Sequence, residues 1–587
     1  MTREKMVEVL ERIALLLELK GENPFKIRAY RSGAEVVEGF PGDIVARAAA
    51  NDLEGISGLG SALRDKLHEL ASTGRLEFYD KLAAGIPETL FDLFEIPGLG
   101  PKKVKALYNE LGIDSPAALK QACESGRLAD LPGFGARTVE KLLAALAYRQ
   151  ANADRFRQNE AVAAVGRIHD WLRGHEMVDQ VEPAGSWRRG KETLHDLDFV
   201  VASSRGAELL QDFCRQPWVR QVEACGETKA SVILEEGVPC DVRAVKGGEF
   251  ACALAYFTGS KEHNVLVRGR ARDRGYTLNE YRLAPLDKDG GKVETPPEFS
   301  TEAELYGFLG LEWIDPALRE GGPEIEAAEN GALPRLVQLT DLRGALHNHT
   351  NASDGAVPLR DMVEGARGLG LQYFGLADHS KSSFQANGLD AGRLRRQIGE
   401  VARENERLAD EEADFWVLSG SEVDILKDGR LDFDDDLLAE LDCVVASVHN
   451  AFTLGEAEMT SRILKAVENP HVDIIGHLTG RLLLRREPYQ VNIDAVLEAA
   501  AGTGTVIELN ANPWRLDLDW RWWRRARELG VRCAINPDAH SVEGLKDMFF
   551  GVRIARKGWL GRDDVINCMT RGELREFLAK PKADRRR

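Results

Sequence analysis

The sequence predicts a multidomain chain: an all-helical N-terminal region, a mixed α/β middle, and a C-terminal unit in which a parallel sheet or barrel is wrapped by helices. Three observations predict it. Through about residue 150, apolar residues recur at intervals of three and four, and the breaks are short Gly or Pro turns. From about residue 151 strand candidates appear, HDLDFVVAS, ASVILEEG and VPCDVRAV among them. Beyond a Pro-, Gly- and Glu-rich passage at 316–334, which reads as a connector, the apolar runs GALHNH, YFGLADH, WVLSGSE, CVVASVH, DIIGH, VIELN and CAINPDAH alternate with amphipathic helices. At 587 residues the chain is too long for one core and corresponds to roughly three to five domains.

The first helix, MTREKMVEVLERIALLLELKG, carries acids through its apolar stripe, so it reads as amphipathic and not as a signal peptide. No apolar run approaches the length of a membrane span, and no membrane partner is expected. Eight cysteines without a CxxC pair or disulfide-like spacing fit a reducing cytoplasm. Lys and Arg total 77 against 95 acidic residues, a formal charge of −18, which ordinarily argues against a nucleic-acid partner. Contact is decided locally, however, and the run Arg268, Arg270, Arg272, Arg274 can keep one groove basic within an acidic chain.

Three turns of the helical region resemble one another: Ile56-Ser57-Gly58-Leu59-Gly60, Ile96-Pro97-Gly98-Leu99-Gly100 and Leu131-Pro132-Gly133-Phe134-Gly135. Each precedes a helix and would expose backbone N–H groups at its start, groups that bind phosphate without reading sequence. Lys102, Lys103 and Lys105 reinforce the second turn.

In the middle region the segment GSWRRGKETLHDLD sets Asp196 and Asp198 two apart on a strand, where both project from one face. Carboxylates that close repel unless a cation lies between them, and Mg²⁺ or Mn²⁺ prefers such oxygen ligands. Asp241 of VPCDVRAV supplies a third carboxylate if its strand pairs with theirs. Two ions held this way can activate a hydroxyl and stabilise a departing pyrophosphate. Ser186, Arg188 and Arg189 offer a hydroxyl and guanidinium forks suited to triphosphate oxygens.

In the C-terminal unit His347, His349, His379, His449, His477 and His540 sit at the ends of strand candidates, with Asp354, Glu422 and Asp538 in comparable positions. In a barrel these nine groups converge at the C-terminal mouth. Mixed imidazole and carboxylate ligands suit Mn²⁺, Zn²⁺ or Fe²⁺, and nine of them imply a cluster of two or three ions, a device for cutting phosphodiesters. Arg515, and the helix-spaced Trp520, Arg521, Trp522, Trp523, Arg524 and Arg525, lie nearby; the latter read as core packing with a solvated basic face.

These motifs together resemble the bacterial and archaeal family X DNA polymerases that carry a C-terminal polymerase and histidinol phosphatase (PHP) domain. GSWRRGKETLHDLD is similar to their nucleotidyltransferase signature, joined by YFTGS (256–260), Asn264 with Arg268, and YTLNEY (276–281). The resemblance implies Asp196, Asp198 and Asp241 as catalytic metal ligands of a palm, and Ser186 and Arg189 on nucleotide phosphates. It puts Tyr256, Phe257 and Gly259 at the incoming nucleotide, and Asn264 and Arg268 at the nascent pair and template. His195 departs from the family's usual Gly, which puts polymerase efficiency in question. The glycine turns are similar to helix-hairpin-helix elements, with Gly58, Gly60, Gly98, Gly100, Gly133 and Gly135 on DNA. The block NPFKIRAYR (23–31) with Lys66 resembles a 5′-phosphate-binding domain in which the matching lysine can form a Schiff base with an abasic sugar; a second lysine of that pocket is Ala62 here. LHNHTNASDG, LADHS, GSEVDIL, SVHNAF, IIGHLTGR and NPDAH are similar to the PHP domain, a distorted seven-stranded barrel, with all nine metal positions matched and Ala345 where the family commonly has Asp.

The resemblance thus implies an N-terminal helical domain (1–85), a helix-hairpin-helix subdomain (86–150), an α/β nucleotidyltransferase palm (151–245), a small α/β thumb (246–315), a linker (316–340) and a distorted (β/α)7 PHP barrel (341–587). The expected activity is gap-filling, DNA-directed DNA synthesis in base excision repair, with a metal-dependent 3′-5′ exonuclease in the barrel. The expected partners are gapped or nicked double-stranded DNA and dNTPs, acting on a cytoplasmic monomer. Two rival readings stay open: a DNA-end scaffold whose palm is impaired by His195 beside an active phosphoesterase, and a barrel that cleaves small-molecule phosphoesters.

Overall fold

The structure is a computed structural model that describes all residues except 41–42, 57, 129–130, 287–294 and 587; Ser57 of the first glycine turn lies outside the described residues. The N-terminal helices Arg3–Lys20, Pro24–Gly39 and Ser61–Thr73 enclose Leu10, Ile13, Leu17, Val37 and Leu67. Asn23 starts the second of them, its side chain accepting from Phe25 N at 2.9 Å with Pro24 in the first turn, where a missing N–H costs nothing. A second helical unit, with helices Pro101–Leu111, Pro116–Glu124 and Ala136–Ala151, packs round Leu93, Ile96, Leu107, Phe134 and Leu142.

The palm is a five-stranded sheet in the order Gln180–Pro183, Leu197–Ala202, Pro239–Val245, Lys229–Leu234, Val219–Cys225. All three strand candidates of this region are present. The outer two strands carried no clear signal; Val219–Cys225 is exposed over nearly its whole length and so has no apolar alternation to read. The thumb follows, with helices Phe250–Thr258 and Lys261–Asp273, a hairpin of Tyr276–Leu278 with Leu283–Pro285, and helix Glu302–Phe308. The passage 316–334 carries more structure than a connector: Leu318 and Ala328 join the thumb core, and Arg319 is fully buried.

All seven strand candidates of the C-terminal unit form strands, and all pair in parallel. The run WVLSGSEVD is broken at Ser419: Trp416–Leu418 pairs with Tyr373–Gly375, while Gly420–Asp424 pairs with Cys443–Ser447. Only glycine fits at the switch, since a Cβ on Gly420 would come within 2.3 Å of Leu376 O and 2.5 Å of Cys443 O. Among the described residues the first strand, Gly344–Ala345, and the last, Cys533–Asn536, share no regular ladder. One isolated bridge, Asn348 with Ala539, and the Asn567 side chain, which accepts from Ile535 N (2.7 Å) and donates to Gly344 O (3.0 Å), join them instead. The strands thus lie in two parallel sheets, of three and five strands, with helices outside, an open form of the expected barrel that no ladder closes among the described residues.

Candidate active sites

The palm site grows from strand register. Asp198 and Asp241 are register partners on adjacent parallel strands, and Asp196 stands just before the first of them. Ser231 Oγ donates to Asp241 Oδ1 at 2.7 Å, and Lys229 Nζ lies 2.6 Å from its Oδ2. Burial first, then Asp196 and Asp241, push the Asp198 carboxyl up to about 7; Asp196 is raised as well, by burial and by Asp241. Two carboxyls raised in this way beside a third acid are what a divalent cation relieves, so the residues fit such an ion. The turn Gly185–Arg188 closes over them: Gly185 has φ +58°, and a Cβ there would fall 2.1 Å from Asp198 Oδ2. Ser186 Oγ is buried without a hydrogen-bond partner, a hydroxyl free to donate to a ligand.

The two arginines divide. Arg188 faces Glu302 as a fork, Nη1–Oε1 2.9 Å and Nη2–Oε2 2.8 Å, so its expected place on the triphosphate is taken by a palm–thumb contact. Arg319 grips the same carboxylate from the other side, at 2.6 and 3.1 Å. Arg189 contacts Glu320 (3.1 Å) and donates to Thr258 O; Gly259 leaves it room, since a Cβ there would stand 3.0 Å from Arg189 Nη1. Tyr256 and Phe257 meet edge to face at 5.1 Å, Asn264 Nδ2 donates to Tyr256 O (2.7 Å), and Arg268 Nε donates to Asn264 O (3.2 Å). The arginine run is split by its helix, because residues two apart face away from each other. Arg270, for one, turns back to Leu309 O and Glu329. His195 is half exposed and points outward, Nδ1 3.0 Å from Asp154 and Nε2 2.5 Å from Arg155.

In the barrel the nine expected ligands gather in one place. Glu422 is central: His379 Nδ1 lies 2.8 Å from it, His477 Nε2 3.0 Å, His449 Nε2 3.2 Å and His347 Nε2 3.5 Å. Asp354 meets His379 and His540 (both 3.4 Å), and Asp538 meets His349 at 3.0 Å. Three overlapping groups have the spacing of cation sites: His349, Asp354, His379 and His540; His347, His349 and Glu422; and His379, Glu422 and His449. Several of these atoms, His347 Nε2, His349 Nδ1, His379 Nδ1 and Glu422 Oε1, are buried yet form no aligned hydrogen bond, so their lone pairs aim at points between the groups. That fits a shared metal cluster. Burial would raise Glu422, but His449, His379 and His347 together hold it well below the usual carboxylate range. His449 and His540 rise to about 9 under the pull of Glu422 and Asp354, against burial.

Residues behind the ligands were missed. Glu508 Oε2 lies 2.6 Å from His347 Nδ1, and its other oxygen accepts from His477 N at 3.0 Å. Asp424 Oδ1 lies 3.1 Å from His449 Nδ1. The signal was present: acids in the apolar strands VIELN and GSEVD, where only a buried partner makes a charge tolerable. Arg515 stands at the rim, 3.6 Å from Asp538. Trp523 is buried and Arg525 pairs with Asp494 and Glu498, the expected division of that helix into core and solvated faces.

The three glycine turns share one geometry. Gly58, Gly98 and Gly133 have φ +85°, +88° and +88°, and Gly60, Gly100 and Gly135 precede helices that no side chain caps. Lys66 Nζ donates to Ala62 O (3.1 Å) and lies 5.1 Å from the Phe78 ring centre. No helix among the described residues is long and apolar enough to cross a membrane.

Family models match four stretches of the chain. A family model of the helix-hairpin-helix domain matches residues 1–76, one of the SAM-like helix-hairpin-helix tandem 76–147, one of the DNA polymerase beta thumb 253–320, and one of the PHP domain 345–512. Over 207 residues, 33% of this chain and 74% of the relative, the chain is 31% identical to a probable phosphatase of Caldanaerobacter subterraneus subsp. tengcongensis. A probable phosphatase of Thermoanaerobacter sp. is 30% identical over 176 residues, 28% of this chain and 69% of that protein. Over 582 residues, 99% of this chain and 100% of the relative, the chain is 39% identical to the DNA polymerase/3′-5′ exonuclease PolX of Bacillus subtilis. A palm of three carboxylates, helix-hairpin-helix turns and an imidazole-rich barrel in one matching order leave one conclusion: the chain belongs to the family X DNA polymerase/3′-5′ exonucleases with a C-terminal PHP domain.

Proposed function

We propose that the palm carries out template-directed synthesis across short DNA gaps, as in base excision repair, and that the barrel removes nucleotides from 3′ ends. The register pairing of Asp198 with Asp241 beneath the Gly185 turn is the observation that carries the first half. In this reading Asp196, Asp198 and Asp241 hold Mg²⁺ or Mn²⁺, which supplies positive charge to the attacking hydroxyl and to the leaving pyrophosphate. Ser186 Oγ accepts a place on the nucleotide's phosphates, and Arg189 joins it once its contact with Glu320 opens. Tyr256, Phe257 and Gly259 shape the sugar's seat, while Asn264 and Arg268 report the geometry of the new pair. The glycine turns hold the backbone phosphates of gapped or nicked duplex through free helix-start N–H groups. Lys66 is assigned the abasic-sugar Schiff base, with borohydride trapping on an abasic substrate as its test.

The second half rests on the clustered nine ligands. His347, His349, Asp354, His379, Glu422, His449, His477, Asp538 and His540 would hold two or three ions of Mn²⁺, Zn²⁺ or Fe²⁺, and Glu508 and Asp424 orient two of the imidazoles. The working unit is a monomer. The deciding experiment uses purified protein on a single-nucleotide gap with Mg²⁺ or Mn²⁺. Asp196→Ala with Asp198→Ala should lower synthesis by about three orders of magnitude or more and leave degradation intact. His349→Ala should do the reverse. Synthesis surviving the first variant refutes the palm assignment.

A further inference from the structure

We infer that the nuclease domain is also a working part of the polymerase site: Arg553 and Lys557, on its helix Met548–Lys557, are positioning residues for the phosphate-facing turn Gly185–Gly190. This rests on the palm reading above and extends it.

The turn has little support of its own. Its helix, Gly185–Arg188, is four residues long, and the chain leaves through Gly190 at φ +69°. Within the turn, Gly190 N donates to Trp187 O and Lys191 N to Ser186 O, and the carbonyls of Trp187 and Arg189 are also reached from the nuclease domain. Arg553 Nη2 donates to Trp187 O, and its guanidinium lies 4.5 Å from the Trp187 ring centre. Arg553 Nε donates to Gln158 Oε1 at 2.6 Å, and the buried Gln158 in turn donates to Gly190 O at 3.4 Å. Lys557, with no exposed side-chain surface, donates to Arg189 O at 3.2 Å and pairs with Glu320. Glu320 is the same carboxylate that receives Arg189 Nε (3.1 Å) and Lys191 Nζ (2.8 Å). Gly190 packs so closely that a Cβ would stand 3.4 Å from Arg553 O.

Two side chains of the nuclease domain therefore add to what holds Ser186 and Arg189, residues more than 350 positions away in sequence. The contacts touch backbone, so they fix direction without depending on which side chains the turn carries. Among the described residues, the hydrogen bonds and ion pairs of Arg553 and Lys557 go to none of the nine barrel residues. Losing them should loosen the turn, and misplacement of a phosphate-binding group by a fraction of an ångström is expensive in catalysis.

The test is steady-state gap filling and 3′-end degradation by the full-length protein. Arg553→Met keeps the aliphatic stem and removes the fork. The expected result is a KM for dNTP raised about tenfold or more, with exonuclease within about twofold of wild type, and faster hydrogen exchange across residues 185–190. Lys557→Met should act in the same direction. Wild-type KM, kcat and exchange in both variants overturn the inference. Should Arg553→Met lower both activities and the melting temperature together, Arg553→Lys decides: it keeps the charge but cannot reach Gln158 and Trp187 at once. A raised KM at a wild-type melting temperature supports positioning, and a wild-type KM overturns it. Asp198→Asn separates this from the palm reading, because it should abolish synthesis without altering exchange at 185–190. If Asp198→Asn still synthesises, the palm reading fails, and exchange in Arg553→Met alone reports on the contact.

Discussion

Asp198 and Asp241 stand opposite each other in register on neighbouring parallel strands, so one face of the palm sheet carries both carboxylates side by side. Burial first, then repulsion from Asp196 and from Asp241, pushes Asp198 up to about 7. A carboxyl raised this way binds more protons folded than unfolded between its ordinary value near 3.8 and 7, so without divalent ions its contribution to stability falls as pH rises through that window. Asp198→Asn should therefore be more stable than wild type in EDTA at pH 8, by on the order of 1–3 kcal/mol, and the difference should vanish near pH 4. Calorimetry at both pH values checks it; an Asn variant less stable at pH 8 contradicts the picture.

Glu302 lies between two arginine forks, Arg188 of the palm and Arg319 beside the thumb. Burial would raise its carboxyl, but Arg319 and then Arg188 outweigh this and hold it at about 2. The stabilisation is fully present above the ordinary value near 4.5 and is lost as pH falls toward 2. Glu302→Gln leaves the fully buried Arg319 charge uncompensated and should cost about 3–5 kcal/mol. The expected outcome is a lower melting temperature of the palm–thumb unit, with gap filling lost before exonuclease activity. A melting temperature unchanged at pH 7 would show that the three groups are not coupled.

Glu508 touches no proposed ion and fixes His347 from behind at 2.6 Å. Glu508→Gln should weaken metal retention by roughly 10- to 100-fold and reduce exonuclease in step, with gap filling unaffected. Metal content by mass spectrometry after dialysis against graded chelator decides it, and wild-type retention would remove Glu508 from the site.

The exposed His195 ring is engaged by Asp154 and Arg155. Restoring the family's glycine should change gap-filling kcat/KM by no more than about twofold, the effect of an ordinary surface substitution. A gain of two orders of magnitude would instead favour the rival reading of a DNA-end scaffold with an impaired palm.

The clustered imidazoles and carboxylates were legible because their signal is local. His347, His349 and the rest fall at the ends of apolar runs, and a strand's period and stopping point are written in neighbouring residues. Asp196 and Asp198 were legible for the same reason. The pairing of Asp241 with them was conditional on one strand lying beside another, which the spacing alone leaves open. Arg188 shows the limit in the other direction: its motif suggested phosphate, and its fold partner is Glu302, more than a hundred residues on.

By itself, the sequence determined the order of the helical, mixed and parallel units, the strand-borne acids and imidazoles, and the repeated glycine turns. Each follows from backbone preferences and side-chain chemistry within a few residues. Only the tertiary structure decided that Ser419 breaks a barrel strand, that Glu508 and Asp424 stand behind the histidines, and that Arg553 and Lys557 brace the palm's turn. Those outcomes depend on which distant surfaces meet, and burial makes a polar group take whatever partner the packing brings within reach.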